Sequence, residues 1–245
     1  MREYLSVLLL LLKRALKAAV PILAAMVALE IFLFFLLTVG LRSQEAFWLE
    51  DLVEESRMKW VCAAAFVLLC AQMVRVSSDG SGSQSYSLRR LAISEKSVSI
   101  CHVLALWVCF LLLWAVQLLT ALLLLWWISK SSSAAGLSSQ SVFLAFYRNP
   151  FLHNLFPLED WLYWFRNLIL TAGLSLSAAA CGSPLAGNTG KRILAAFAAV
   201  TLVCFTIPLG SLFPNAIAIV GTLIVMKSVS MKLLRSDIHL VEDAK

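Results

Sequence analysis

Read as alternating apolar and polar blocks, the 245-residue chain contains six apolar stretches separated by polar interruptions of unequal length. They run from about Ala18 to Leu41, Lys59 to Val76, Val98 to Ile128, Trp161 to Gly182, Ile193 to Leu209 and Ala216 to Leu233. About 20 apolar residues in a helix cover the roughly 30 Å of a bilayer's hydrocarbon core, so each block has the length of a membrane span. The third would extend to about 46 Å as one helix and must tilt or project from the membrane. The run Tyr4 to Leu12 is too short to cross, and its cations follow it rather than precede it, unlike those of a signal peptide. Ser6, Lys13 and Lys17 fall on one helical face, with Leu5, Leu8, Leu9, Leu12 and Leu16 opposite. Residues 1–17 are therefore expected to form an amphipathic helix lying on the membrane surface, with an extension of the first span as the alternative.

Polar side chains inside the apolar blocks mark candidate functional positions, because a charge or amide at membrane depth must face protein or water. Glu30 stands near the middle of the first span. Gln72 lies near the end of the second, and Gln117 and Thr120, one helical turn apart, share a side of the third. Arg166 lies about a turn and a half inside the fourth, placed to snorkel to the boundary or to pair with Glu30 across a bundle. These five are the expected bundle-facing or substrate-pathway residues. Pro150 and Pro157 punctuate the aromatic second half of the segment 129–160, which reads as an interfacial or re-entrant piece. The small-residue tract Ala172 to Ala180 suits close helix packing.

Composition agrees with the pattern: 61% of residues are hydrophobic and 14% charged, with mean hydropathy +0.87. An ordinary soluble domain carries about 45–50% apolar and about 25% charged residues, so the chain reads as a polytopic, all-α membrane protein. Net charge +6 belongs to its loops rather than to a nucleic-acid surface, since no free basic run is interleaved with stacking aromatics. With both termini inside, 14 of the 20 Lys and Arg residues fall on the cytoplasmic side, whereas the acidic, aromatic loop 42–58 falls outside. Positive-inside bias thus predicts six transmembrane helices, N-in and C-in, in the cytoplasmic membrane. The six cysteines sit in or at the ends of apolar runs, and the three histidines lack ligand spacing, so neither disulfides nor a metal site is expected.

On this topology two interruptions face the cytoplasm. The first, 77–97, begins as a Gly/Ser linker and ends as Tyr86-Ser87-Leu88-Arg89-Arg90-Leu91-Ala92-Ile93-Ser94-Glu95-Lys96, which mixes apolar anchors with cations. The second, 182–192, reads GSPLAGNTGKR. It is no phosphate-binding loop: Leu185 stands where the first glycine belongs, and Arg192 replaces the hydroxyl that would meet magnesium.

An entry helix, a basic element between spans two and three, and a long third helix resemble permease subunits of the ABC-2 type exporter family, including those of lantibiotic or peptide export and immunity. The likeness covers nearly the whole chain in topology, and its sequence signal is concentrated in Tyr86 to Ser94. The resemblance implies a permease that pairs with a second permease, identical or not, and with separate ATPase subunits that bind ATP and Mg; the chain itself would hold no cofactor. It further implies that Tyr86, Leu88, Arg89, Arg90, Leu91, Ile93 and Glu95 dock in the ATPase, with Lys191 and Arg192 in a smaller second contact. Better-known members place their large outer segment between spans five and six, whereas here it precedes span four. The expected substrate is an amphipathic peptide or lipid-like molecule. The rival readings are an intramembrane enzyme, on the faint protease-like pattern Glu54-Glu55 followed by Lys59, and a non-catalytic membrane scaffold.

Overall fold

The computed structural model describes residues 2–41, 49–79, 95–131, 139–158, 160–182, 187–206 and 212–242. All secondary structure among them is helical: α1 Arg2–Leu41, α2 Leu49–Glu55, α3 Met58–Asp79, α4 Glu95–Ser131, α5 Ser139–Arg148, α6 Pro150–Leu155, α7 Trp161–Cys181, α8 Gly187–Thr206 and α9 Leu212–Glu242. Four segments are long and apolar enough to cross a membrane, namely Tyr4–Val39, Met58–Ser78, Lys96–Lys130 and Phe213–Met231. Helices α7 and α8 have 21 and 20 residues, enough rise for about 30 Å, with Arg166 and Asn167 inside α7 and Lys191 and Arg192 in the first turns of α8.

The expected break between a surface helix at 1–17 and a span from Ala18 is not observed. Helix α1 continues from Arg2 to Leu41, through Pro21. The reason is a single buried stripe, Val7, Leu11, Ala15, Ala19, Leu23, Met26, Glu30 and Phe34, whose steps of four and once three residues keep one face on the bundle along the whole helix. Leu5 and Leu9, expected on the anchoring face, point away and are exposed, as is Pro21, whose missing N–H falls outside the packing.

Helix α4 carries the matching stripe, Cys101, Ala105, Cys109, Leu113, Gln117, Thr120, Leu125 and Ile128. It runs parallel to α1. Val7 and Leu11 pack with Cys101 and Ala105 at the end holding the N-terminus, and Phe34 packs in the cluster of Ala121 and Leu125 at the far end. Helices α3 and α7 run the other way.

Helix α7 is the hub, packed against α3, α4, α8 and α9. Its buried positions cover one broad face, Arg166, Asn167, Leu170, Thr171, Gly173, Leu174, Ser175, Ser177 and Ala178, while Trp161, Phe165 and Leu168 are exposed on the other. The polar residues lie on the packed face, which explains how the helix tolerates them. Small residues allow the approach. A Cβ on Gly173 would lie 2.9 Å from Thr222 Cγ2 of α9 and 3.0 Å from Phe197 Cε1 of α8. At the α7 terminus, a Cβ on Gly182 would lie 2.5 Å from the backbone oxygen of Ser77 in α3, a contact no rotamer change relieves.

At the far end, α2, α5 and α6 close over the bundle. Pro150 separates α5 from α6 and occupies the first turn of α6, with Asn149 Oδ1 accepting hydrogen bonds from the N–H groups of Phe151 and Leu152 at 3.1 and 3.2 Å. The proline that breaks one helix thus starts the next. Phe151, Leu152 and Leu155 of α6 join Leu52, Val53 and Phe146 in one buried cluster.

Overpacking at the hub is expected to cost stability: Gly173→Leu should lower the unfolding free energy by about 1–3 kcal/mol. Gly221→Leu, where a new Cβ meets nothing within 4 Å, should change it by less than about 0.5 kcal/mol. Denaturant titration in mixed micelles compares the two; equal effects would contradict the close packing of α7.

Candidate functional site

Two polar clusters interrupt the apolar interior. The first surrounds Arg166, which is 0% exposed. Its Nη1 donates to Asn215 Oδ1 of α9 at 2.6 Å, its Nε and Nη2 to Asn167 Oδ1 at 3.1 and 2.9 Å, and its Nη2 to Asn154 Oδ1 of α6 at 3.5 Å. Asn167 Nδ2 in turn donates to the Asn154 carbonyl at 2.9 Å, and the Tyr163 ring lies 4.7 Å from the guanidinium carbon. Amide oxygens and a ring face thus cradle the charge without a carboxylate partner among the described residues. This corrects both expectations for Arg166. It neither snorkels nor pairs with Glu30, because Asn154, Asn167 and Asn215 offer acceptors on three elements at once. The sequence reasoning passed over these asparagines and Tyr163; the usable signal was the arginine itself, whose several donors demand acceptors wherever it is buried.

An aromatic lattice fixes α6 beside this cradle. Trp114 Nε1 donates to the Leu155 carbonyl at 2.8 Å and Trp164 Nε1 to the Pro157 carbonyl at 2.7 Å, while the two indoles lie 5.3 Å apart. Phe205 of α8 meets Trp114 edge-on at 6.3 Å.

The second cluster is Glu30 of α1 and Gln117 of α4, 1% and 0% exposed. They are neighbours within hydrogen-bonding reach of each other, although the pair falls short of full hydrogen-bond geometry, and no other described group meets either side chain. Each is therefore the other's partner in an interior where an unpaired polar group would be costly. Gln117 lines a cavity of about 50 Å³ between α3, α4, α6, α7 and α8, walled by Phe66, Phe110, Trp114, Phe151 and Phe205 among others.

The other expected positions divide. Thr120 is buried, but its hydroxyl bonds within its own helix, to the Val116 carbonyl at 2.8 Å. Gln72 is half-buried on α3. Lys191 and Arg192 are exposed in the first turns of α8. Tyr86, Leu88, Arg89, Arg90, Leu91 and Ile93 lie outside the described residues, and Glu95 is the first residue of α4. Glu54 and Glu55 are exposed in α2, with Glu54 Oε1 3.5 Å from Lys59 Nζ. Ser77 Oγ and His102 Nε2 lie 3.0 Å apart, joining α3 to α4 at the N-terminal end of the bundle.

No family model matches the chain, and no curated protein or solved structure matches it either. Fold and composition define it as an all-α chain with four helices able to cross a membrane, the build of a multi-pass membrane protein.

Removing one wall of the arginine cradle should be costly: Asn215→Leu is expected to lose about 1.5–3 kcal/mol, the worth of a hydrogen bond to a charged group. In the double variant Arg166→Leu with Asn215→Leu, the loss should fall short of the sum of the single losses. Strict additivity in unfolding titrations would mean that the two side chains are not coupled.

Proposed function

We propose that the chain is a membrane-embedded permease subunit of an ABC transporter, moving its substrate with ATP hydrolysed by separate ATPase subunits. In this reading it has six membrane-crossing helices, α1, α3, α4, α7, α8 and α9, with both termini in the cytoplasm. Helices α7 and α8 are the two additional spans: Arg166 and Asn167 of α7 lie on its packed face, and Lys191 and Arg192 of α8 sit in its first turns. The sidedness draws on charge and aromatic placement. Exposed Lys13, Lys17, Arg75, Lys96, Lys191, Arg192 and Lys227 gather toward the end holding the N-terminus, and exposed Trp60, Trp126, Trp127 and Trp161 toward the other.

The observation that carries the reading is the meeting of Ser77 with Gly182. The polar connections after α3 and after α7 start from one spot at the same end of the bundle. A soluble partner bound there would touch both connections together, as two docking elements for one ATPase require. Leu88, Leu91 and Ile93 are then the anchors, Arg89 and Arg90 pair with acidic groups on the rim, and Glu95 begins the long helix α4 that receives the force. A second copy of the chain or a related permease completes the transporter. Its substrate class is an amphipathic peptide or a lipid-like molecule, in keeping with the acidic, aromatic segment 42–58 at the opposite face.

Reversing Arg89 and Arg90 to Glu should abolish co-purification of the ATPase subunit that the unaltered chain captures, while membrane insertion stays unchanged. Undiminished co-purification would refute the docking role. A cysteine at Lys191 should react with an impermeant maleimide in inside-out but not right-side-out vesicles, which reads the orientation independently.

A further inference from the structure

The gap of about 50 Å³ between α3, α4, α6, α7 and α8 has room for roughly four water-sized groups. Its walls expose almost no polar surface. The hydroxyls and the indole N–H along it are already engaged: Thr171, Thr201 and Thr206 donate to carbonyls of their own helices, and Trp114 Nε1 to the Leu155 carbonyl. Gln117 is the partner of Glu30, and Lys59 Nζ lies 3.5 Å from Glu54. A cavity lined in this way has no groups to hold water and is suited to hydrocarbon.

Its mouth is lateral. Apart from Trp114, every half-buried residue of the wall belongs to α3 or α8: Lys59, Cys62 and Ala63 on one, Leu202, Phe205 and Thr206 on the other. Phe110 and Leu113 of α4 and Phe151 of α6 are buried and form the floor. Beside the rim, Val67 of α3 and Val203 of α8 are 50% and 45% exposed, so the surface outside the mouth is apolar as well. Cys62 to Phe66 lie about 3–9 Å inward of Trp60 along the helix. Acyl chains occupy that depth when the exposed Trp60 stands at the headgroup level.

We propose that this cavity is a binding site for the acyl chain of a membrane lipid, which enters sideways between α3 and α8 and places about four carbons against Phe110, Leu113 and Phe151. Hydrophobic transfer contributes little, because the chain leaves one apolar medium for another. Entry is favoured because an empty wall forfeits dispersion contacts that a chain of matching width restores. A headgroup is excluded, since its polar atoms find no partner on this wall. The site rests on α8 lying in the membrane, as the six-span reading has it, and is independent of any ATPase or second permease.

The test uses the full chain in phosphatidylcholine nanodiscs doped with phosphatidylcholine that carries a diazirine midway along one acyl chain. After photolysis, mass spectrometry of proteolytic fragments locates the adducts. The exposed Leu123, Val200, Val203 and Ile224 are expected to be labelled in every variant. The decisive adducts are those on Phe110, Leu113 and Phe151, which are buried and meet lipid only through the cavity. They should be present in the unaltered chain and lost in Ala63→Phe, which plugs the mouth. Leu202→Trp narrows the same mouth from α8 and takes over if circular dichroism and gel filtration find Ala63→Phe unfolded. Adducts at Val200 and Val203 with none on the floor would overturn the cavity assignment alone, as would floor adducts that persist in a folded, plugged variant. An α8 without adducts would overturn both this assignment and the six-span reading.

Discussion

An interior that offers no water requires every buried polar group to find its partner within the protein, and Arg166 sets the hardest case. Its charge is met by three asparagine side chains drawn from α6, α7 and α9 and by the ring of Tyr163. Much else at that end follows. Asn154 reaches the arginine because α6 is seated against the bundle, and α6 is seated because Pro150 and Asn149 start it and Trp114 holds its last carbonyl. The hub position of α7 has the same origin: its broad packed face keeps Arg166, Asn167, Thr171, Ser175 and Ser177 away from lipid, while Phe165 and Leu168 point outward.

The two polar clusters obey this constraint in different ways. Around Arg166 acceptors match donors and the network spans three elements, the arrangement expected of a structural tie. Glu30 and Gln117 have chiefly each other, held between the buried stripes of α1 and α4 without full hydrogen-bond geometry. The bundle is thus tied at one end by a matched network and in its middle by a single buried pair.

Much of the fold was legible along the chain because helices in an apolar environment announce themselves by length and hydropathy. The ends of α3, α4 and α7 fall within a few residues of the expected apolar stretches, and Pro150 marks the α5–α6 boundary. The continuity of α1 was less legible. Val7, Leu11 and Ala15 are no more apolar than the leucines beside them, so composition does not say which face is covered; their register with Ala19, Leu23 and Met26 does. Glu30 and Gln117 stood out individually as polar residues at depth, and both lie on buried stripes. Nothing in their spacing, 87 positions apart, reveals that they are neighbours.

What the sequence determined by itself is therefore what depends on local order: an all-helical chain, the lengths of its apolar helices, and the identity of the polar residues that need partners. Which partners they found was decided by tertiary structure alone. Arg166 was open between the boundary and Glu30, and the assembled bundle closed its guanidinium with Asn154, Asn167 and Asn215 and left Glu30 beside Gln117. The physical reason is that hydropathy and helical periodicity are properties of neighbours along the chain. Satisfaction of a buried charge depends on residues brought together from several helices.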